Sequence, residues 1–307
     1  MNDHFKSERV TKEKIKDIIS LFKSVYGKQT SASYWQKKLD TAVYGPSYLG
    51  SIIYDEHKRA VAFYAVYPCR MNLNGKTVLG AVAGDGMTLR EYRRRGLFED
   101  LLKITHDLAK ANGIEFIFGF PNQDSENTFS RAGIPNEKGS MKIYSLGVRA
   151  FPLAKMSFLD FLTRPWQKLI LSKYLSEVKV TDETEKDNDR VIHDIDFYSY
   201  KNGMNRSLLQ IAGRRVWIKI DKVMRIGDLE GMNNVNQNAM VKKMRRLAMW
   251  TGCTEIQFAA NFNSSFTDEL IRAGAKVASF PIVQIDMRKD ELPDPLVNYK
   301  MCDNDTF

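Results

Sequence analysis

One stretch of the sequence, residues 79–98, constrains the fold more than any other. It begins with LGAVAGDGMT, a run of small and apolar residues that predicts a buried strand with glycines at positions 84 and 86. Glycine inside a strand indicates a β-bulge or a close approach of another group to the backbone. The basic turn YRRRGLF follows, and residues 99–113 then show apolar positions at helical spacing. A strand, a basic turn and a helix in this order present backbone N–H groups to an anion.

The three arginines of the turn, Arg93, Arg94 and Arg95, add fork-shaped donors that suit phosphate. A helix start with several arginines is also common as a solvated basic face, so this segment alone leaves both interpretations open. The chain carries a net charge of +9, most of it in residues 1–150. That excess fits a polyanionic small ligand and fits nucleic acid equally well, so charge does not decide between them.

The order of elements resembles the GNAT acyltransferases. The turn is similar to their acyl-CoA-binding motif, R/Q-x-x-G-x-G/A, with Arg93 at the first position, Gly96 at the glycine, and Phe98 where Gly or Ala is usual. Residues 114–120 predict the next buried strand, and DSENTFSRAG predicts the helix after it. The family often has a Tyr-x-x-x-Gly-Phe pattern there, and Phe129 stands at the tyrosine position. Together, GDGMT, YRRRGLF and FGFPNQDS resemble a bacterial branch often associated with polysaccharide biosynthesis.

The resemblance implies an acyl-CoA site formed by the strand, the turn and the helix that follows. Its expected members are Met87, Thr88, Leu89, Arg93, Arg94, Arg95, Gly96, Leu97, Phe98, Asn122, Ser125 and Phe129. In such enzymes the thioester carbonyl accepts a hydrogen bond from the bulged strand, and an amine attacks it directly.

Asp85 is the candidate general base, because it is the carboxylate within the predicted central strand. A structural, hydrogen-bonded aspartate between two glycines is an equally open interpretation. Phe129 has no proton to give to the leaving thiolate. Another group therefore protonates the thiolate, or it leaves without enzymatic protonation, or the protein does not catalyse.

The chain divides into three segments by pattern. Residues 1–150 are expected to form the acyl-CoA-binding domain, closed by a strand at 142–148. Residues 151–190 form a connector, and residues 191–307 repeat the strands and helices of the first half. The second half has EGMNNVNQNA where the first has its arginine turn, so we expect one working site. The predicted fold class is α/β (α+β): a tandem GNAT fold with a mixed central sheet flanked by helices in each half and a degenerate second half.

The segment 151–176, FPLAKMSFLDFLTRPWQKLILSKYLS, is rich in aromatic residues, leucine and lysine. A basic amphipathic segment of this kind can lie on a membrane surface. It can also be a connector packed between two domains, and the sequence leaves both open.

Several classes of function lack their motifs. The sequence has no G-x-S-x-G, HExxH or GxxxxGK[ST] pattern, so we expect neither serine hydrolysis, zinc chemistry nor nucleotide hydrolysis, and no metal. Its three cysteines form no CxxC pair, which indicates a reducing compartment. With a polar N-terminus and no apolar run of spanning length, we expect a cytoplasmic bacterial protein.

The first hypothesis for function is an N-acetyltransferase that moves an acetyl group from acetyl-CoA to a small amine. The branch resemblance suggests an amino sugar or a nucleotide-linked sugar as acceptor. One alternative is a non-catalytic acyl-CoA-binding or scaffold protein. Another is a tandem-GNAT aminoacyltransferase of the cell-wall type, a group that does not show an intact RRRGLF-type turn. The expected partners are a CoA thioester and the amine, without nucleic acid, and a homodimer stays open.

Overall fold

The computed structural model of the 307-residue chain describes residues 4–121, 123–134, 139–156, 158, 160–175, 188–201, 206–232, 236–288 and 295–305. The strands within these ranges are β1 (Lys6–Arg9), β2 (Gly50–Tyr54), β3 (Ala60–Leu73), β4 (Lys76–Thr88), β5 (Phe116–Gly119), β6 (Ser140–Gly147), β7 (Arg190–Val191), β8 (Arg206–Ile211), β9 (Arg214–Ile220), β10 (Met224–Leu229), β11 (Glu255–Ala260), β12 (Lys276–Pro281) and β13 (Val283–Asp286). The α-helices are α1 (Ile15–Tyr26), α2 (Ala32–Leu39), α3 (Leu97–Ala111), α4 (Gln123–Arg131), α5 (Asp160–Ser172), α6 (Ile195–Lys201), α7 (Gln237–Trp250) and α8 (Ser265–Arg272).

The first sheet has the strand order β1-β2-β3-β4-β5-β13, and the short β7 pairs with β3. β4 and β5 are parallel, whereas the other pairs in this sheet are antiparallel. Helix α3 packs on β2 and β3 through Leu97, Leu101, Leu102, Thr105 and Ala109, which recur at helical spacing and are buried. The predicted strand–turn–helix order is therefore confirmed.

A β-bulge interrupts β4 where the sequence has its two glycines. Phe63 of β3 lies opposite Met87, but Ala65 lies opposite Gly84, so β4 contains one extra residue in this interval. Asp85 sits in the bulge with φ 53°, a left-handed conformation that Asp tolerates better than most residues. The parallel ladder of β4 and β5 ends just before the bulge, so the two strands separate there.

The second sheet has the strand order β12-β6-β11-β10-β9-β8. The expectation that residues 142–148 close the first sheet is wrong, because β6 pairs with β11 and β12 of the second sheet. In return, β13 from the C-terminal half pairs with β5 of the first sheet. The two sheets thus exchange a strand. The prediction of two mixed sheets flanked by helices is confirmed, while the division at residues 150 and 190 stays a prediction.

The second sheet repeats the bulge of the first. The pairing of β10 with β9 shifts register between Ile226 and Asp228, at a Gly-Asp pair that matches Gly84-Asp85 of β4. A short 3₁₀ helix, Met301–Asp303, packs beside β10 and β11 at this point. It belongs to residues 295–305, which we call the C-terminal segment. This segment leaves the second sheet and reaches the bulge of the first.

The helices that the structure describes include none whose length and apolar character would let it cross a bilayer.

Candidate active site

A cleft of about 720 Å³ opens where β4 and β5 separate. This volume is within the range of small-molecule sites. The bulge, the start of α3, the end of β5 and part of α4 form its walls, and the C-terminal segment contributes Asn304 and Asp305. The cleft is therefore assembled from both halves of the sequence.

The basic turn leads directly into α3 at one wall of the cleft. A 3₁₀ helix, Arg90–Tyr92, follows β4, and Arg94 and Gly96 then take left-handed conformations with φ 63° and 77°. Gly96 is the N-cap of α3, and it has no side chain that could accept a hydrogen bond from the first turn. The N–H groups of that turn are therefore suited to an anionic ligand at the helix N-terminus.

The three arginines of the turn point to two different places. Arg93 and Arg94 line the cleft. Arg95 instead lies over the ring of Tyr92, 5.1 Å from its centroid, and borders a separate depression beside Asp55. The Tyr92 hydroxyl donates a 2.7 Å hydrogen bond to the Asp55 carboxylate, which fixes this arrangement. A phosphate in the cleft would meet Arg93 and Arg94.

The other predicted acyl-CoA residues are distributed unevenly. Those that line the cleft are Met87, Thr88, Gly96, Leu97, Phe98 and Phe129. Leu89 is buried, and its N–H donates to the carbonyl of Val61, so it connects the start of the turn to β3. Asn122 lies outside the described residues, as does the side chain of Ser125.

Phe98 fills an apolar corner of the cleft. Its ring lies against Gly86, where an added Cβ would overlap the ring carbons. It also makes edge contacts with Tyr64 and Phe129, at centroid distances of 5.5 and 6.4 Å. The glycine in the bulge and the phenylalanine in the turn therefore fit one another.

Two carboxylates and one ammonium group meet at the bulge. The Lys38 Nζ of α2 lies 2.5 Å from Asp85 Oδ2 and 3.1 Å from Asp305 Oδ2. The Tyr67 hydroxyl donates to the same oxygen of Asp85. The carboxylate of Asp305 lies against Gly84, where a Cβ would overlap it. Both carboxylates line the cleft, whereas Lys38 is only 3% exposed.

Burial and charge act in opposite directions on this group. Burial raises the pKa of Asp305, and the charge of Asp85 adds to the rise, although Lys38 works against it. Burial also disfavours the charged form of Lys38, but the two carboxylates outweigh it and hold the pKa of Lys38 well above its ordinary value. The lysine thus stays an ammonium, and burial makes the Asp305 carboxylate easier to protonate than an exposed aspartate.

Buried polar contacts hold the C-terminal segment in place. The Lys201 Nζ donates to the carbonyl of Cys302 and, at 2.9 Å, to that of Asn304. The ring of His193 bridges two carboxylates, with Nδ1 2.9 Å from Asp228 and Nε2 2.7 Å from Asp303. These contacts fix the backbone immediately before Asp305.

His193, Asp228 and Cys302 are close enough to be considered as metal ligands. Both ring nitrogens of His193 are already hydrogen-bonded to carboxylates, and the Lys300 ammonium lies 3.1 Å from Asp228. Although burial works against the charged ring, its neighbours raise the pKa of His193 well above the usual value. The cluster therefore has the arrangement of a charge network, with neither ring nitrogen left to coordinate a cation.

The corresponding helix of the second half begins differently. The Asn236 side chain accepts a 3.2 Å hydrogen bond from the N–H of Ala239 and so caps α7. Beside β10, Asp228 pairs with His193 and Lys300 of the C-terminal half. The features that make the first half suited to an anionic ligand are thus replaced by internal contacts.

Sequence reasoning missed Lys38, Tyr67 and Asp305. Lys38 did carry a signal, because it shares the apolar face of α2 with Trp35 and is the charged residue in that buried stripe. Asp305 carried no such signal in the sequence, because it is 267 positions away from Lys38 and only the fold brings the two side chains together.

Comparison with known proteins agrees with this geometry. Residues 6–132 match the model of the acetyltransferase (GNAT) domain. A comparison with the curated proteins found no match to the sequence.

Solved structures of similar fold cover nearly the whole chain. A GCN5-related N-acetyltransferase from Kribbella flavida superposes with a TM-score of 0.58 at 10% identity, over 91% of this chain and 70% of that one. One from Anabaena variabilis gives 0.56 at 11% identity, over 92% and 73%. One from Sphaerobacter thermophilus gives 0.52 at 12% identity, over 94% and 97%. Residues 6–132 thus match a GNAT acetyltransferase domain, and the chain has the fold of the GCN5-related N-acetyltransferases.

Proposed function

We propose that this protein is an N-acetyltransferase that transfers the acetyl group of acetyl-CoA to the amine of a small acceptor. The observation that carries the proposal is the carboxylate pair of Asp85 and Asp305, which lies at the bulge inside a cleft bordered by an uncapped helix N-terminus. Donor and acceptor would meet between these two features.

The donor is expected to lie along the bulge and the start of α3. Its pyrophosphate would accept hydrogen bonds from the first turn of α3 and would face Arg93 and Arg94. The backbone at the bulge would hold the thioester carbonyl and stabilise the negative charge that develops on its oxygen.

The acceptor side is suited to a cation. With both carboxylates ionised, the group formed by Lys38, Asp85 and Asp305 has a net negative charge, which favours binding of an ammonium. Asp85 contacts Lys38 at 2.5 Å and also accepts from Tyr67, whereas Asp305 contacts Lys38 at the longer distance of 3.1 Å. We therefore assign the role of general base to Asp305. Asp85 has the role of holding Lys38 in position. An amino sugar is the acceptor class that the sequence resemblance suggests.

The acceptor ammonium loses two protons in the reaction, one before it attacks and one as the amide forms. Asp305 takes a proton from the ammonium, and the neutral amine attacks the thioester carbonyl carbon. A C–N bond forms, the C–S bond breaks, and CoA leaves as a thiolate. The Phe129 ring has no proton to give, so the second proton of the amine passes through water to the thiolate as the amide forms. Asp305 then releases its own proton to solvent, and the products are the amide, the free thiol and one proton.

A non-catalytic acyl-CoA-binding protein is the second candidate. It is favoured by Phe129, which is buried at the position where a proton donor would stand. This candidate predicts CoA binding without release of free thiol.

The experiment is a thiol-release assay with acetyl-CoA and a panel of amines that includes amino sugars. We expect Asp305→Asn to lower turnover by roughly 100-fold, the usual contribution of a positioned base, with CoA affinity unchanged. Asp107→Asn, a carboxylate on the exposed side of α3, is the matched control. If Asp85→Asn lowers turnover while Asp305→Asn does not, Asp85 is the base. If CoA binds and no amine releases thiol, the non-catalytic candidate is correct.

A further inference from the structure

Helix α5 is apolar on two opposite faces. One face, with Thr163, Ile170 and Leu171, is buried, and its two aliphatic residues belong to the core of the second sheet. The opposite face carries large apolar side chains that are mostly exposed: Phe161 (71%), Leu162 (58%) and Leu169 (57%), preceded by Phe158 (70%). We call this set the outer face of α5. A contiguous exposed apolar face of this kind marks a surface that contacts something else.

The outer face continues onto the end of α7. Trp166 of α5 donates a 2.9 Å hydrogen bond from Nε1 to the carbonyl of Trp250. Trp250 is itself half exposed, and Met249 beside it is similar. Tryptophan combines an apolar ring with a polar N–H and is enriched where apolar and aqueous phases meet.

The segment of the chain that carries this apolar surface is basic. Residues 149–175 contain Arg149, Lys155, Arg164, Lys168 and Lys173 against one acidic residue, Asp160. On α7, four exposed residues lie within about 100° of the helix circumference. They are Lys242, Arg246, Met249 and Trp250. α7 contains no acidic residue.

We propose that the outer face of α5, with the basic face of α7, binds the surface of a bilayer that contains anionic lipids. The aromatic and leucine side chains would enter the boundary between head groups and acyl chains. The lysines and arginines would stay at the level of the phosphates. Such a contact lies on the surface of the bilayer and does not span it.

The charge distribution favours lipid over the other occupants of an apolar face. A second copy packed by α5 against α5 would bring together two segments that each hold five basic residues and one acidic residue, and like charges repel. Nucleic acid would satisfy the basic residues but would leave Phe161, Leu162 and Leu169 without an apolar partner. An anionic bilayer satisfies both.

The test is flotation of the full chain with vesicles of phosphatidylcholine alone and of phosphatidylcholine mixed with phosphatidylglycerol. We expect binding to the mixed vesicles, weakening with added salt. The double substitution Phe161→Gln with Leu162→Gln should lower the partition coefficient by at least about tenfold. Lys168→Glu with Lys242→Glu should lower it by a similar factor. Leu296→Gln is the control, because this leucine is 87% exposed and lies outside the proposed surface. It should bind as the parent does.

Unfolding temperatures of all variants should match the parent, because the substituted side chains are exposed. The proposal is overturned if the parent does not float with the mixed vesicles, or if the Phe161 and Leu162 variant floats as well as the parent. Gel filtration tests the alternative that a second copy of the chain covers this face. If the parent is a dimer that does not bind vesicles, and the same variant is a monomer, the face is an interface between copies. Binding to a mixed-sequence oligonucleotide in place of vesicles would also refute it.

Discussion

Replacing Lys38 by methionine tests how the carboxylate pair is held. Methionine keeps the unbranched shape of the buried side chain and removes the ammonium that contacts Asp85 at 2.5 Å and Asp305 at 3.1 Å. With an effective dielectric constant of about 20, the two contacts correspond to gross attractions of about 7 and about 5 kcal/mol. Desolvation of the buried ammonium offsets much of this. Removing one partner of a buried pair typically costs about 3–5 kcal/mol, and that is the loss of unfolding free energy we expect.

The loss should depend on pH. Without Lys38, the pKa of Asp305 should rise further above the value of about 3.9 that an aspartate has in an unfolded chain. The folded state then binds more protons than the unfolded state between these two pKa values, so its stability falls as pH rises through that window. The deficit of Lys38→Met relative to the parent should be largest near neutral pH and should shrink below about pH 4.

Urea unfolding of the parent and the variant at acidic and neutral pH measures this deficit. Lys37→Met, an exposed neighbour on the same helix, is the control and should change stability by less than about 0.5 kcal/mol. In the thiol-release assay, the variant should require a higher pH for activity, because a base of higher pKa loses its proton later. A deficit below about 1 kcal/mol, or one that stays constant with pH, would refute this account of the site.

Three further predictions concern the ligand and the C-terminal segment. Arg94→Glu should remove most of the rise in unfolding temperature that CoA produces. Arg95→Glu should keep that rise, because Arg95 lies over Tyr92 outside the cleft. Equal effects of the two substitutions would place the phosphates of CoA elsewhere. Calorimetry should find one CoA per chain, and a stoichiometry of two would contradict a second half without a site. His193→Leu should lower the unfolding free energy by about 3–5 kcal/mol by leaving its carboxylate partners unbridged. It should also lower turnover more than CoA affinity, and unchanged turnover would show that the network does not position Asp305.

The proposed donor side of the cleft is local in the sequence, which is why its strand, turn and helix could be predicted. The bulged strand, the turn and α3 are consecutive, and Arg93, Gly96 and Phe98 fall within six residues. The left-handed conformations that turn the chain into α3 depend on neighbouring residues alone. One detail was not predictable: the sequence does not reveal that Arg95 turns away, because its partners Tyr92 and Asp55 decide its direction.

The proposed acceptor side of the cleft depends on contacts between distant parts of the chain. Asp85 was a candidate from its position between two glycines, but its ion pair with Lys38 requires α2 to pack beside the bulge. Asp305 enters only because His193, Lys201 and their partners hold the C-terminal segment against the first sheet.

The sequence by itself determined the two mixed sheets, the bulge, the basic turn and the absence of a second arginine turn. These features follow from local periodicity, from glycine positions and from charge within a few residues. The tertiary structure alone decided that β6 and β13 exchange sheets and that Asp305 completes the carboxylate pair. It also decided that, among the described residues, the outer face of α5 is left exposed. Each of these depends on which distant surfaces bury one another, and pairing of strands and packing of buried charges are fixed by partners that lie far away in the chain.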